Sequence, residues 1–253
     1  MPRHKVTFGN QDGVTLAGVL ETPETSQAEP PYALFAHCFT CGKDIVAASR
    51  LSRALAEQGI AVLRFDFTGL GESGGDFAAS NFSTNINDLL AAAQFLEQHY
   101  QPPALLIGHS LGGTAVLHAT PNIPSVQAVA TIGSPSNANH VQQLFRGTVD
   151  ELEQSGEATL QIGQRELTVR QHMLDDLDQY ATDDYIAKLG RPLLVFHSPM
   201  DKVVPVGEAT DIFWAAQHPK SFISLGDADH VLSRREDTDY IARTLVAWSS
   251  CYL

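Results

Sequence analysis

The chain has 253 residues, and its 29 acidic residues against 16 lysines and arginines give a formal net charge of -13. This excess of negative charge repels nucleic acids and anionic membrane surfaces, so we expect neither as a partner. No apolar run approaches the roughly 18 residues of a membrane-spanning helix, and a chain of this length can bury a substantial core unaided. These features predict a globular protein.

The N-terminal sequence and the number of cysteines indicate the cellular compartment. The first ten residues contain no apolar stretch long enough for a signal peptide. Three cysteines, Cys38, Cys41 and Cys251, are too few for a framework of paired disulfides, which agrees with a reducing compartment. No group of His, Cys and Asp residues has zinc-site spacing, so we expect neither a metal nor another cofactor. The predicted location is the cytoplasm.

The chain begins with a predicted antiparallel hairpin, because the strand-like runs at residues 6–9 and 14–20 are separated by the turn signal Asn10-Gln-Asp-Gly13. Six short, continuous apolar runs follow, at residues 32–36, 60–65, 104–107, 126–132, 193–196 and 221–225. Runs of this kind are typical of parallel strands that are covered on both faces.

Amphipathic helices are predicted between these strands. Residues 45–58 place apolar side chains on one face and stop at Gly59, a residue that readily ends helices. Residues 84–99 show the same period, and the last helix opens with Ser233-Arg-Arg-Glu236, the sequence of a capping box. The alternation of strands and helices indicates an α/β fold with a mostly parallel central sheet flanked by helices.

One interval, residues 135–190, is too long for an ordinary crossover between parallel strands. Within it, residues 159–169 predict a small hairpin that turns at residues 163–164. Helical patterns flank this hairpin at residues 141–152 and 171–180. We interpret the interval as a small lid inserted over the C-terminal edge of the sheet, within a single domain of all 253 residues.

The most informative run is Gly108-His109-Ser110-Leu111-Gly112, which is G-x-S-x-G between an apolar strand and a helical pattern. A serine on so tight a turn has strained backbone geometry, and the two glycines avoid collisions that side chains would cause. The turn also brings Ser110 to a helix N-terminus, where free N–H groups favour negative charge. Ser110 is therefore the predicted nucleophile, and the Leu111 N–H a predicted oxyanion donor. The alternative is a serine that merely caps the helix.

A serine nucleophile needs a histidine base and an orienting acid, which follow it in the order acid, then His. Asp201 comes after one predicted strand and His230 after the next, both in loops at the C-terminal edge of the sheet. Asp227 and Asp229 are alternatives for the acid, although residues so close to His230 rarely reach behind its ring. Three further histidines near the strand ends are predicted to make local hydrogen bonds: His37, His109 and His197.

The second oxyanion donor is expected from residues 37–44, the loop after the first central strand, and position favours the Phe39 N–H. The same loop contains Cys38 and Cys41 as C-x-x-C, which leaves open a thiol-redox or metal-binding role. Apolar residues near the elbow and in the lid are predicted to line an acyl pocket, although each could equally belong to the ordinary core: Phe39, Leu111, Val203 and Leu174.

These motifs resemble the α/β-hydrolase superfamily over essentially the whole chain. The elbow, Asp201 and His230 match its triad, and Phe65-Asp-Phe-Thr-Gly-Leu-Gly-Glu-Ser73 matches its Asp-x-x-Gly-x-Gly-x-Ser loop. More narrowly, residues 37–44 and 64–73 resemble the hydrolase half of bacterial fusions between an α/β-hydrolase and an OsmC-type peroxiredoxin-like domain. Because the chain stops at Leu253, we expect the OsmC-type half to be a partner only in fused relatives.

The resemblance implies hydrolysis of carboxylic esters, so we predict a carboxylesterase-like serine hydrolase whose partner is a small-molecule ester. A peptidase, a thioesterase, an acyltransferase and a perhydrolase would use the same triad and stay open. From a different class, a binding or thiol-redox module would use the C-x-x-C and leave the triad idle. The natural substrate and the formation of a homo-oligomer are also left open.

Overall fold

The computed structural model describes residues 2–24, 29–38, 40–145, 148–162, 165–182 and 184–253. These residues form ten strands: β1 Arg3–Gly9, β2 Thr15–Glu21, β3 Tyr32–Ala36, β4 Ala61–Phe65, β5 Pro103–His109, β6 Ala128–Ile132, β7 Glu157–Ile162, β8 Arg165–Arg170, β9 Leu193–His197 and β10 Lys220–Ser224. They also form eight α-helices: α1 Val46–Glu57, α2 Phe82–His99, α3 Leu111–Ala119, α4 Val149–Ser155, α5 Gln171–Asp178, α6 Asp184–Ala187, α7 Val206–Ala215 and α8 Arg235–Ser249.

The central sheet has eight strands in the order β1-β2-β4-β3-β5-β6-β9-β10. The first hairpin is antiparallel, β2 also pairs antiparallel with β4, and the other neighbours are parallel. Every residue of β3, β4, β6 and β9 is buried. The predicted mostly parallel sheet with its N-terminal hairpin is confirmed.

Helices cover both faces of this sheet. Alternate residues of one strand belong to different apolar clusters, as Leu63 and Val62 of β4 do, because neighbouring side chains point to opposite faces. Helices α1 and α8 contribute to the cluster that contains Val62, whereas α2, α3 and α7 contribute to the cluster that contains Leu63. This arrangement confirms the predicted α/β-hydrolase fold. None of the described helices is long and apolar enough to span a membrane.

The prediction of a capping box at Ser233 is wrong. Helix α8 begins at Arg235, and its cap, Arg234, makes no side-chain capping bond. The Ser233 N–H and hydroxyl both donate to the Asp229 carboxylate. The serine is therefore engaged by a loop residue that precedes it, and it cannot serve the first turn of the helix.

Residues 135–190, which we call the insertion, connect β6 to β9. The predicted helix over 141–152 is wrong as a single element, because a 3-10 segment at Ala138–Phe145 is followed separately by α4. Strands β7 and β8 pair as the predicted hairpin, whose turn at residues 163–164 lies outside the described residues. Helix α5 matches the second predicted helix. The function of the insertion as a lid, and the single domain, stay predictions.

Helix α5 fixes the insertion to the rest of the molecule. Its Asp176 is buried and accepts hydrogen bonds from the Ser83 N–H at 2.8 Å and the Ser83 hydroxyl at 2.6 Å. Ser83 lies in the first turn of α2, where free N–H groups and the helix dipole favour a carboxylate. Met173 and Leu177 join the core cluster beside it. The insertion is therefore anchored over the helix that packs beside α3.

Candidate active site

The sharp turn between β5 and α3 holds Ser110 in a strained conformation. Its φ is 55° and its ψ is -130°, a left-handed backbone that non-glycine residues rarely adopt. A Cβ on Gly108 would overlap the Gly112 carbonyl oxygen, and a Cβ on Gly112 would overlap the Ala36 and His37 carbonyl oxygens. The two glycines of the motif are thus required by close backbone approach, which lets β3 and its following loop pack against the elbow.

Three side chains meet at the C-terminal edge of the sheet. The Ser110 Oγ lies 3.1 Å from the His230 Nε2, and the His230 Nδ1 lies 2.7 Å from the Asp201 Oδ2. Asp201 follows β9, and His230 follows β10. Because Nδ1 donates to the carboxylate, Nε2 is left to accept the serine proton. The arrangement can move a proton away from a serine hydroxyl.

Asp201 is held as a carboxylate by its surroundings. Its side chain is buried, and its Oδ1 accepts hydrogen bonds from the Val203 N–H at 2.8 Å and the Val204 N–H at 2.9 Å. Burial alone would raise the pKa of Asp201, but the hydrogen bonds from His230 and from these backbone groups outweigh burial and lower it. A charged acid therefore faces the histidine ring.

A cavity of about 510 Å³ opens beside the three side chains. Among the described residues, thirteen line it: Cys38, Thr40, Cys41, Ser110, Leu111, Pro135, His140, Val141, Lys202, Val203, Val204, His230 and Val231. Its lining is mostly apolar, with Ser110 and His230 as convergent polar groups, as is usual for a small-molecule site. Val203 and Val231 stay more than half exposed at its mouth.

Residues 34–190, from β3 through the elbow and the insertion, match the family model described as serine aminopeptidase, S33. The chain belongs to this α/β-hydrolase family. Since family membership sets the fold and the class of enzyme, the protein is a hydrolase.

Relatives of this hydrolase include proteins described as an esterase domain, a putative esterase and a thioesterase. The crystal structure of the esterase domain from a Rhodothermus marinus protein is 46% identical, with a TM-score of 0.81 over 100% of this chain and 99% of that chain. The putative esterase YitV of Bacillus subtilis (strain 168) is 26% identical over 244 residues, 88% of this chain and 89% of that protein. Palmitoyl-protein thioesterase ABHD10, mitochondrial, of Rattus norvegicus is 32% identical over 123 residues, 47% of this chain and 39% of that protein. The narrower resemblance to OsmC fusions stays a prediction.

The predicted pocket residues of the hydrolase divide into three groups. Leu111 and Val203 line the cavity, and Phe39, predicted both for the pocket and as an oxyanion donor, lies outside the described residues. The prediction that Leu174 lines the pocket is corrected, because Leu174 packs against the core cluster and is absent from the described lining of the cavity. Helix α5 turns toward α2, so the insertion contributes instead His140 and Val141, which the sequence pattern did not single out.

The two alternative acids of the hydrolase are occupied elsewhere. Asp227 binds Arg234 through two hydrogen bonds, and Asp229 accepts hydrogen bonds from Ser233. Both are exposed or nearly so, whereas Asp201 is enclosed beneath the His230 ring. The order of residues in the sequence thus agrees with the geometry of the site.

Two buried histidines brace the loops that hold the acid and the base. The His109 Nε2 lies 2.7 Å from the His230 carbonyl oxygen, and the His197 Nε2 lies 2.9 Å from the Val204 carbonyl oxygen. Burial and the neighbouring His230 lower the pKa of His109 to about 4, and burial lowers the pKa of His197. Both rings are neutral at pH 7 and donate from Nε2, as expected of local hydrogen-bonding residues.

Gly133 is a contributor to the site that sequence reasoning missed. It follows β6 with a φ of 56°, and a Cβ there would lie 3.3 Å from the Asp201 Oδ2 and 3.5 Å from the His230 Nδ1. The missing side chain leaves room for the hydrogen bond between acid and base. Its signal in the sequence is a glycine directly after a predicted central strand.

A half-buried carboxylate ties the insertion to the loop of the acid. Glu208 of α7 accepts hydrogen bonds from the Ser136 N–H at 2.8 Å and the Ser136 hydroxyl at 2.7 Å, and it lies 3.3 Å from the His140 Nδ1. The His140 Nε2 in turn lies 3.2 Å from the Val203 carbonyl oxygen. The hydrogen bond from His140, and then those from Ser136, lower the pKa of Glu208 to about 2 although burial opposes them.

This depressed pKa gives a stability prediction. The ordinary pKa of Glu208 is 4.5, and its value in the folded chain is about 2. Its contribution to stability is therefore present above pH 4.5 and is lost as the pH falls toward 2. Glu208→Gln should lower the free energy of unfolding at pH 6 by about 2 kcal/mol, and this deficit should shrink as the pH falls toward 3. Urea unfolding at several pH values measures it.

The matched control is Glu97→Gln, at an exposed position near the end of α2. It should leave the free energy of unfolding within about 0.5 kcal/mol of the parent at each pH. A deficit in Glu208→Gln that stays constant between pH 6 and pH 3 would contradict the assignment.

A disulfide bond joins Cys38 to Cys41 in the loop after β3. A single local pair is not the framework of several pairs that the cysteine count argues against, and the reducing compartment stays a prediction. Cys251 is free and exposed. The bonded pair carries no thiol available to bind a metal, and it lies within the wall of the cavity.

Proposed function

We propose that the protein hydrolyses carboxylic esters through an acyl-enzyme on Ser110. The observation that carries this proposal is the chain of hydrogen bonds from Ser110 through His230 to Asp201 at the wall of a mostly apolar cavity. A structural relative at 46% identity is an esterase domain, which supports the same class of substrate. A serine that only caps α3 would need neither the base nor the cavity.

In the proposed mechanism, the Ser110 Oγ attacks the ester carbonyl carbon while the His230 Nε2 takes its proton. The negative charge that forms on the carbonyl oxygen is stabilised by the N–H of Leu111, the first residue of α3, which has no acceptor within its helix. The Phe39 N–H is the proposed second donor. His230 then returns the proton to the leaving alcohol, and Asp201 stabilises the imidazolium in between.

Water completes the cycle by the same route. The His230 Nε2 takes a proton from a water molecule, whose oxygen attacks the acyl carbon, and the Ser110 Oγ leaves with that proton. The apolar wall, with Leu111, Val141 and Val203, suits the hydrocarbon part of the acyl group or of the alcohol. An acyltransferase or a perhydrolase would differ only in the acceptor that replaces water.

Ester hydrolysis fits the lining better than the aminopeptidase activity named in the family description. An aminopeptidase has to bind a protonated α-amine, and a buried cation needs an anionic partner. The described residues of the cavity wall carry no carboxylate, and they include the cations Lys202 and, when protonated, His140. Such a wall repels an ammonium group and leaves a neutral ester unaffected.

Thioester hydrolysis is the second candidate, and it is favoured by the partial likeness to a palmitoyl-protein thioesterase. The test compares kcat/KM for 4-nitrophenyl butyrate, for the neutral butyryl thioester of N-acetylcysteamine and for L-leucine 4-nitroanilide at one pH. We expect kcat/KM for the oxygen ester to exceed that for the anilide by about 10³-fold or more, because the described cavity wall offers no carboxylate to bind the amine of the anilide. The highest value on the thioester would assign a thioesterase, and the highest value on the anilide would assign a peptidase.

A further inference from the structure

The disulfide between Cys38 and Cys41 lies at the reacting centre of the proposed site. Both cysteines line the same cavity as Ser110 and Leu111. They follow β3, the strand whose loop packs so closely against the elbow that a Cβ on Gly112 would overlap the Ala36 and His37 carbonyl oxygens. Cys38 and Cys41, which bound the cross-linked segment 38–41, and Thr40 are therefore part of the wall that a substrate carbonyl would face.

The segment has a backbone conformation that needs support. Thr40 has a φ of 60° and is buried, although β-branched residues strongly disfavour the left-handed region. The Cys41 N–H donates to the Cys38 carbonyl oxygen at 3.2 Å, and the His37 Nδ1 lies 2.8 Å from the same oxygen. Cys38 and Cys41 are thus joined twice, by a backbone hydrogen bond and by the disulfide.

Both flanks of the segment are fixed independently of the disulfide. On one side β3 is paired to β4 and β5 along its length. On the other side the Asp66 carboxylate accepts hydrogen bonds from the Lys43 N–H and from the Lys43 Nζ, each at 2.6 Å, and Lys43 is buried. Opening the disulfide therefore removes the covalent tie between Cys38 and Cys41, while β3 and Lys43 keep these contacts.

We propose that the Cys38–Cys41 disulfide is a positioning element of the catalytic centre, and that its reduction to two thiols lowers kcat. This inference rests on the proposed function. The proposed second donor, the Phe39 N–H, lies between the two cysteines in the sequence. Because an oxyanion donor acts only within a few tenths of an ångström of its working distance, loss of the bond between its neighbours weakens the stabilisation of the transition state. Leu111, Val141 and Val203, which form much of the apolar wall, lie outside the segment, so KM changes less than kcat.

The reductant that the proposal requires is a dithiol. Its thiolate attacks the Sγ of Cys41, which is half-buried, and the Sγ of the more deeply buried Cys38 leaves and takes up a proton. The second thiol of the reductant then displaces Cys41 from the mixed disulfide. Two electrons and two protons pass to the protein, and the reductant ends as a disulfide.

The experiment compares the oxidised chain with the same chain reduced by dithiothreitol and desalted under nitrogen, because free thiols cleave activated esters themselves. Mass spectrometry after iodoacetamide treatment counts the thiols, and circular dichroism checks that the reduced chain stays folded. We expect reduction to lower kcat for 4-nitrophenyl butyrate by about 10- to 100-fold, with KM within about twofold, because one of two oxyanion donors is weakened. Reoxidation should restore kcat, which irreversible damage would not allow.

Two variants sharpen the comparison. Cys38→Ser/Cys41→Ser should have a low kcat that no longer responds to dithiothreitol, whereas Cys251→Ser should respond as the parent does, since Cys251 is free and exposed. An equal kcat for the fully reduced and the oxidised chain would overturn the inference, as would a response that persists in the double variant. If the oxidised chain hydrolyses no ester at all, the proposed function fails, and the inference falls with it.

Discussion

Replacing Ser110 by alanine is expected to lower kcat for ester hydrolysis by about 10⁴-fold or more and to leave the fold unchanged. The change removes only the Oγ, which lies 3.1 Å from the His230 Nε2, and the backbone at this position is equally accessible to alanine. The residual rate would come from binding and from the oxyanion donors, which stay in place. Steady-state kinetics with 4-nitrophenyl butyrate measure the loss.

A matched control for Ser110→Ala is Ser224→Ala, which removes an exposed hydroxyl at the end of β10. This variant should keep the parent kcat, and both variants should unfold at the parent temperature within a few degrees. A rate in Ser110→Ala within about tenfold of the parent would mean that ester cleavage does not use this hydroxyl as its nucleophile.

Asp201→Asn is expected to lower kcat by about 10⁴-fold, because the amide forces the wrong tautomer on His230. The Oδ1 of Asp201 accepts hydrogen bonds from the Val203 and Val204 N–H groups, so the amide oxygen of asparagine would keep that place. Its NH₂ group would then face the His230 Nδ1, which would have to accept. The ring proton would move to Nε2 and point at Ser110, and the base could no longer take the serine proton.

The control for this prediction is Asp227→Asn, which changes the more distant of the two acids near His230 in the sequence. Asp227 is exposed and binds Arg234, so kcat should stay within about twofold of the parent. A larger loss of kcat from Asp227→Asn than from Asp201→Asn would mean that Asp201 is not the acid that orients His230.

Much of the fold was accessible from the sequence because its signals are local. The strands are continuous apolar runs because helices cover both faces of the sheet, and Gly59 ends α1 with a φ of 93°. The elbow is equally local, since the overlap that Gly108 avoids involves residues only a few positions away. The order of Asp201 and His230 follows from the order of the last two strands of the sheet.

The features that sequence reasoning missed depend on partners that are distant in the chain or on competing partners. Ser233 has the sequence position of a capping residue, but its N–H and hydroxyl donate to the Asp229 carboxylate instead. The direction of α5, and with it the place of Leu174, is set by the contact of Asp176 with Ser83, 93 positions earlier in the chain. The role of Gly133 likewise depends on the meeting of Asp201 and His230 above it. Local patterns contain none of this information.

The central claim, that Ser110 is an activated nucleophile, is tested most directly by labelling the native chain with a fluorophosphonate and locating the adduct by peptide mass spectrometry. We expect one adduct per chain, on the peptide that contains Ser110, with ester hydrolysis lost in proportion to labelling. Ser110→Ala and the urea-unfolded chain should not react. An adduct on another residue, or full ester hydrolysis by a chain that is completely labelled at Ser110, would contradict the account.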